Sequence, residues 1–278
     1  MKISVITPTY NSVKTIGKNV LSVISQTYTN FEQIIIDNVS DDQTHSAVTS
    51  LYEKAECNHK LHIISEKDEG IGDAFNKGIS LATGDIITIL NSDDYYYHKN
   101  VFQQIINEFN ANEWLFVHGD IYDFDMVYGS IIRFPKGNSM TMGMIYNHPT
   151  IFFNKRVYDK YGMFDTNYKY AMDFEFLCRL EKLIPNFHLK GKYLQGDPLV
   201  FMQYGGASWI NANDALIETK AALKNYGLWS LKAFYYNRKN FLKFITKRVF
   251  VRLGFSKLVK LIRYKKWRYF YPNLLDLI

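Results

Sequence analysis

Two adjacent carboxylates, Asp93 and Asp94, close the stretch TGDIITILNSDDYYY from Thr83 to Tyr97. Acids this close repel each other unless a cation or hydrogen-bond donors offset the charge. Hard oxygen ligands, few in number and with phosphate to complete the coordination, suit Mg²⁺ or Mn²⁺. Asn-Ser-Asp-Asp is also good turn chemistry, so a plain polar turn competes with the metal reading. A third acid, Asp173, stands in YAMDFEFL, where Met172, Phe176 and Leu180 would share one apolar stripe of a helix. A carboxylate beside such a packed face could take the proton of an attacking hydroxyl. The competing reading is a first-turn Asp favoured by the helix dipole. Glu175 is the fallback base, although it points about 200° away around that helix.

The elements that must hold these acids alternate along the chain. Strands are predicted over Lys2–Thr7, Gln33–Ile36, Leu61–Ile64 and Ile86–Leu90, with Pro8 ending the first. Helices are predicted between them, over Val13–Gln26 with Ser12 as cap, Thr44–Ala55 and Asp73–Leu81. Strand–helix alternation at this spacing means an α/β protein with a Rossmann-like, doubly wound, mostly parallel sheet. Polar clusters recur at the end of each strand, where open α/β sheets bind ligands.

Composition bounds the class. With 278 residues, 21 Tyr and 20 Phe, the chain can bury one large core, or one core and an annex. Cys57 and Cys178 form neither a metal spacing nor a disulfide framework, which suits a reducing compartment. The chain opens Met1-Lys2 and runs straight into Ile3-Ser4-Val5-Ile6, so no signal peptide is expected. No run of about eighteen apolar residues is present. The expected location is cytoplasmic. Net charge is uneven: from Ala221 to Ile278 there are 14 basic residues and one acid, Asp276. That leaves 19 of the 33 basic and 26 of the 27 acidic residues in the body, about −7 against +13 in the tail.

Several segments in order resemble glycosyltransferase family 2 of the GT-A fold, of the bacterial surface-polysaccharide type. PTYN at Pro8–Asn11 is similar to the family's opening motif, and IIIDNVSDDQT to its acidic second-strand segment, with Asp37 and Asp42 matching. LNSDD stands where the family carries Asp-x-Asp, and HPTIFFNKRVYDKYGMFD with AMDFEFLCRL resembles its acceptor-side segment. The resemblance implies an inverting glycosyltransferase, a hexosyl or N-acetylhexosaminyl transferase. It would take sugar from a nucleotide-diphosphate donor, with UDP the expected nucleotide, and pass it to a glycan or lipid-linked acceptor. Asp173 would be the general base, and Asp93 and Asp94 would hold Mn²⁺ or Mg²⁺, with one of them meeting ribose. Asp37 would accept a hydrogen bond from the base, and Thr7, Pro8 and Tyr10 would line the same pocket.

Lys67 and Lys77 are the nearest cations, meeting phosphate or simply solvated. His148 would touch donor phosphate or acceptor, or serve as a structural hydrogen-bonder. Asp120, after the apolar stretch Trp114–Val117, would face the acceptor. Gly205-Gly206-Ala207-Ser208-Trp209 stands where the family has a segment that closes over the donor. Asn91 replaces the first Asp of the metal motif, and Val39 and Gln43 replace family glycines, which should alter the second-strand loop. The Met140–Met144 segment reads as mobile.

The expected division is a GT-A domain over residues 1–220, with a nucleotide-sugar half at about 1–97 and an acceptor half at about 98–220. A basic helical region follows over 221–278. From Gly227 to Tyr271 that tail mixes cations with aromatic and aliphatic residues, as segments lying in a bilayer interface do. A peripheral place at the inner face of the membrane is one reading, and a helical annex packed on the acidic body another. Nucleic acid is the least favoured partner. The alternative from another functional class is a silent nucleotide-sugar-binding or membrane-tethered scaffold.

Overall fold

The computed structural model describes residues 1–125, 129–203, 206 and 210–270. The first half runs β1 (Ile3–Thr9), α1 (Ile16–Ile24), β2 (Phe31–Asp37), α2 (Thr44–Lys54), β3 (Leu61–Ser65), α3 (Ile71–Leu81) and β4 (Ile86–Ile89). After β5 (Tyr95–Tyr96) and α4 (Val101–Ala111) come β6 (Phe116–Gly119), β7 (Ile121–Phe124), β8 (Ile131–Arg133) and β9 (Phe152–Asn154). The rest is α5 (Arg156–Tyr161), α6 (Met172–Leu183), β10 (Gly191–Leu194), β11 (Val200–Gln203), α7 (Ala212–Asn225), α8 (Leu231–Arg252) and α9 (Ser256–Phe270).

Seven strands form the main sheet in the order β10-β6-β9-β4-β1-β2-β3. Only β9 runs antiparallel to its neighbours, so the sheet is mostly parallel, as the strand–helix alternation predicts. Its central strands β1, β2 and β4 are buried along their whole length, which is why they are rich in apolar residues on both faces. Along β4, Ile87 and Ile89 enter one core cluster, while Ile86 and the following Leu90 enter a second on the opposite face. Where α3 crosses β1, a Cβ on Gly78 would lie 2.3 Å from Ile6 Cγ2, so glycine sets the closeness of that contact.

Strand order reverses at β1, with β2 on one side and β4 on the other, and a ligand crevice opens at such a switch point. β1 does not stop at Pro8 but continues to Thr9. Leu90 N–H donates to Ile6 O, so Ile6, and with it Pro8, presents its backbone to the β4 side. Pairing with β4 ends at Ile6–Ile89, and the missing N–H of proline therefore falls beyond the end of that neighbour. A second sheet, in the order β5-β11-β7-β8, was not foreseen, because its strands are only two to four residues long.

The boundary expected at 220/221 falls inside α7, whose Ala222 and Leu223 join the main core together with Ala233 of α8. Farther out the basic helices meet the acidic body: Arg263 of α9 lies 3.5 Å from Asp123 and 3.2 Å from Asp125. Among the described residues no helix is long and apolar enough to cross a membrane. Met140 is wholly buried, and Glu181 accepts from its N–H at 2.6 Å and from Ser139 Oγ at 2.7 Å. The segment from Met140 is therefore tied to α6 rather than loose.

Candidate active site

The loop after β4 carries Asp93 and Asp94, and a buried amide holds it. Asn19 Nδ2 donates to the carbonyls of Asn91 at 2.8 Å and Asp94 at 3.0 Å. Gln33 Nε2 donates in turn to Asn19 Oδ1 at 2.8 Å and to Thr7 Oγ1 at 3.0 Å, and Tyr52 OH donates to Gln33 Oε1 at 2.7 Å. All four side chains are fully buried. A satisfied polar network in the core fixes one arrangement of the groups attached to it, here the acidic loop. Ser12 does not cap α1; its hydroxyl meets Ser92 Oγ at 2.9 Å and ties the β1 loop to the β4 loop.

Asp94 is 2% exposed, and its Oδ1 has no hydrogen-bond partner among the described residues. Burial and the neighbouring Asp93 charge drive its proton affinity well above the usual carboxylate range, against weaker pulls from Asn91, the Gln203 backbone and Arg133. Burial also raises Asp93. An orphaned carboxylate oxygen in a cavity wall, with a second acid beside it, fits a divalent cation. Among the described residues no group of three or more Asp, Glu, His or Cys is placed to hold a metal. Protein ligands here would thus be few, with phosphate oxygens and water filling the remaining positions.

Asp93, Asp94, His148 and Asp173 line one cavity of about 520 Å³. Asp173 sits in the first turn of α6 and accepts from Phe174 N–H at 2.8 Å through Oδ1. The approach to that turn is clamped by Glu218 of α7, whose carboxylate accepts from the N–H groups of Lys169, Tyr170 and Ala171 at 3.0, 2.8 and 2.8 Å. His148 packs against Phe75 and Phe164, which also touch each other, and burial lowers its pKa against the raising effect of the Asp173 charge. Its imidazole is accordingly neutral at physiological pH.

Other predicted residues lie elsewhere. Asp37, at the end of β2, accepts from Ser40 N–H at 3.0 Å, Ser40 Oγ at 2.5 Å and Ser65 Oγ at 2.7 Å, and does not line this cavity. Thr7 is buried in the amide network, Pro8 is buried in β1, and Tyr10 is 58% exposed at the strand's end. Lys77 pairs with Glu66 at 3.0 Å and Asp73 at 3.3 Å and donates to Lys67 O at 2.8 Å, while the Lys67 side chain is exposed. Asp120 accepts from Tyr193 OH at 2.8 Å, and burial pushes its pKa up to about 6 against that hydrogen bond. Glu175 is fully buried away from the cavity, bound by Arg179 at 2.9 Å and by Tyr226 OH. Of the hinge segment, Gly206 lines the cavity, while residues 205 and 207–209 lie outside the described residues.

Val39 keeps the backbone that a glycine would take, with φ 53°, so the second-strand loop retains a left-handed residue. A β-branched side chain is strained there. Val39→Gly is therefore expected to raise stability by about 1–2 kcal/mol, the cost of one left-handed L-residue. Urea denaturation checks it, and an unchanged or lower midpoint at constant slope would refute the strain.

Sequence reasoning missed the cationic side of the cavity: Arg133, Lys136 and Lys169 all line it. It missed Asn19 as well, although a polar residue three positions after Ile16, on the buried stripe of α1, was a usable signal. Nothing in the one-dimensional pattern connects Arg133 or Glu218 with residues so distant along the chain.

The model of the family described as glycosyl transferase family 2 matches residues 4–178. An uncharacterised glycosyltransferase of Nostoc sp. is 34% identical over 131 residues, which are 47% of this chain and 38% of the relative. The matched stretch thus spans little more than a third of that relative's length. Among solved structures, S. aureus TarS in complex with UDP-GlcNAc superposes with a TM-score of 0.62 at 18% identity, covering 96% of this chain and 78% of that one. The mannosyltransferase PcManGT of Pyrobaculum calidifontis, in complex with GDP-Man and Mn²⁺, gives a TM-score of 0.55 at 15% identity, covering 94% and 86%. The fold is that of these GT-A transferases, with a helical C-terminal region.

Proposed function

The chain belongs to glycosyl transferase family 2, and from that membership we propose that it moves a hexosyl or N-acetylhexosaminyl group from a UDP-sugar to a hydroxyl of a glycan or lipid-linked acceptor. Transfer inverts the anomeric carbon and serves bacterial surface-polysaccharide assembly. The observation that carries this reading is the single cavity shared by the Asp93/Asp94 pair and Asp173.

Departure of the nucleotide builds negative charge on the diphosphate. A bound Mn²⁺ or Mg²⁺ supplies Lewis-acid neutralisation of that charge. Asp93 and Asp94 would hold it, and Arg133 and Lys136 stand in the same cavity to add positive field. Asp173 takes the proton from the acceptor hydroxyl as that oxygen attacks C1, and one direct displacement inverts the centre. His148, neutral and packed against Phe75 and Phe164, orients substrate by hydrogen bonding. Asp37 and Tyr10 receive the nucleoside at the neighbouring strand ends, with Thr7 and Pro8 buried in β1 beneath them; Lys67 and Lys77 border that path, and Asp120 lies on the acceptor side. The enzyme works at the cytoplasmic face of the membrane, to which the cations and apolar residues of α8 and α9 hold it.

The test is a panel of UDP- and GDP-sugars, each with Mn²⁺ and with a chelator. A donor that raises the melting temperature and releases nucleotide only with metal present is the expected result. Binding without turnover for every donor would favour the silent scaffold.

A further inference from the structure

Helices α8 and α9 enclose an apolar trough of about 670 Å³, within the range of small-molecule sites (~300–1,000 Å³). Tyr235, Leu242, Phe250, Val259 and Ile262 line it, and Arg238, Lys239 and Lys243 surround it. Arg263 also lines it but is committed to Asp123 and Asp125. Within α8 only Ala233 is buried among the described residues, while Leu242, Ile245, Val249 and Phe250 are exposed. The helix therefore presents to water far more apolar surface than a helix built only to cover a core.

Charge selects the occupant. From residue 221 to 270 the chain carries 14 cations and no acid. A second copy of this face would set like charges together, and nucleic acid would offer phosphates without an apolar body for the trough. An acidic phospholipid offers both. We propose that the α8–α9 trough seats one acyl chain of such a lipid, with the headgroup phosphate against Arg238 and Lys239. This rests on the membrane reading of the tail and adds a defined lipid site to it.

The experiment uses the full chain and vesicles of phosphatidylglycerol in phosphatidylcholine, against phosphatidylcholine alone. Sedimentation should show binding only with the acidic lipid. A Tyr235→Trp protein should lose emission on vesicles whose phosphatidylglycerol chains are brominated, beyond the loss of the parent. Leu242→Gln combined with Ile262→Gln should weaken vesicle binding by about 10-fold or more, since burial of one such side chain is worth at least that. Both substituted side chains are exposed and outside the active-site cavity, so melting temperature and donor turnover should hold. Acidic-vesicle binding without quenching, and unaffected by the double change, would overturn the trough site and leave the membrane reading standing. No vesicle binding at all would remove both. Binding of single-stranded DNA in place of vesicles, or a doubled mass lost in the Gln variant, would assign the trough to another occupant.

Discussion

Asp94→Asn is expected to lower donor turnover by roughly 100- to 1,000-fold, the loss that follows when one preorganised electrostatic group is removed from a reacting centre. The amide keeps the shape and a carbonyl oxygen for Asn91 Nδ2, which now reaches Asp94 Oδ2 at 3.4 Å. It removes the charge that a cation would need. Manganese with UDP-sugar should raise the melting temperature of the parent but not of the variant.

The same change should leave the metal-free protein at least as stable as the parent. Burial and Asp93 raise the proton affinity of Asp94 in the fold, so the native state binds that proton more tightly than the unfolded chain does. The ionised group then costs stability as pH rises above its unfolded value of about 3.9. The advantage of Asp94→Asn is thus present at neutral pH and disappears in acid, where the parent holds its proton too. A variant that loses turnover and also melts much lower at neutral pH would mean that Asp94 is structural. That outcome would remove the metal role.

Asp173→Asn is expected to lower transfer to the acceptor by roughly 100- to 10,000-fold, the range that a positioned general base contributes. Donor binding should survive, because Asp173 stands on α6 while Asp93 and Asp94 stand on the loop after β4. Position is held from outside the helix: Glu218 accepts from three successive N–H groups leading into that turn, and Phe174 N–H fixes Oδ1. The other oxygen has no hydrogen bond among the described residues and remains for a hydroxyl. The measurement is single-turnover transfer beside a thermal shift with UDP-sugar. Transfer lost with the donor shift kept supports the base, whereas equal loss of both would make Asp173 a donor-binding residue instead.

Local chemistry made part of this molecule legible in advance. Apolar runs ending in polar clusters marked β1 to β4: β1, β2 and β4 are buried along their length and so are rich in apolar residues on both faces, while the edge strand β3 is only partly buried. Adjacent acids at the end of β4 and an acid beside an apolar stripe on α6 were visible as chemistry. Other readings failed where a neighbour distant in sequence decided the outcome. Pro8 is tolerated inside β1 only because β4 ends beside it. Glu175 looked like a spare base until Arg179 and Tyr226 enclosed it.

The amino-acid order by itself determined the alternation of strands and helices, the strand-end acids and the charge contrast between body and tail, since each follows from periodicity or composition within a short window. Only the tertiary structure decided that Asp173 shares a cavity with Asp93 and Asp94, that Arg133 stands near them, and that α7 clamps the turn of α6. Those pairings join residues tens of positions apart. They are chosen by how the layers pack, and no local pattern records that choice.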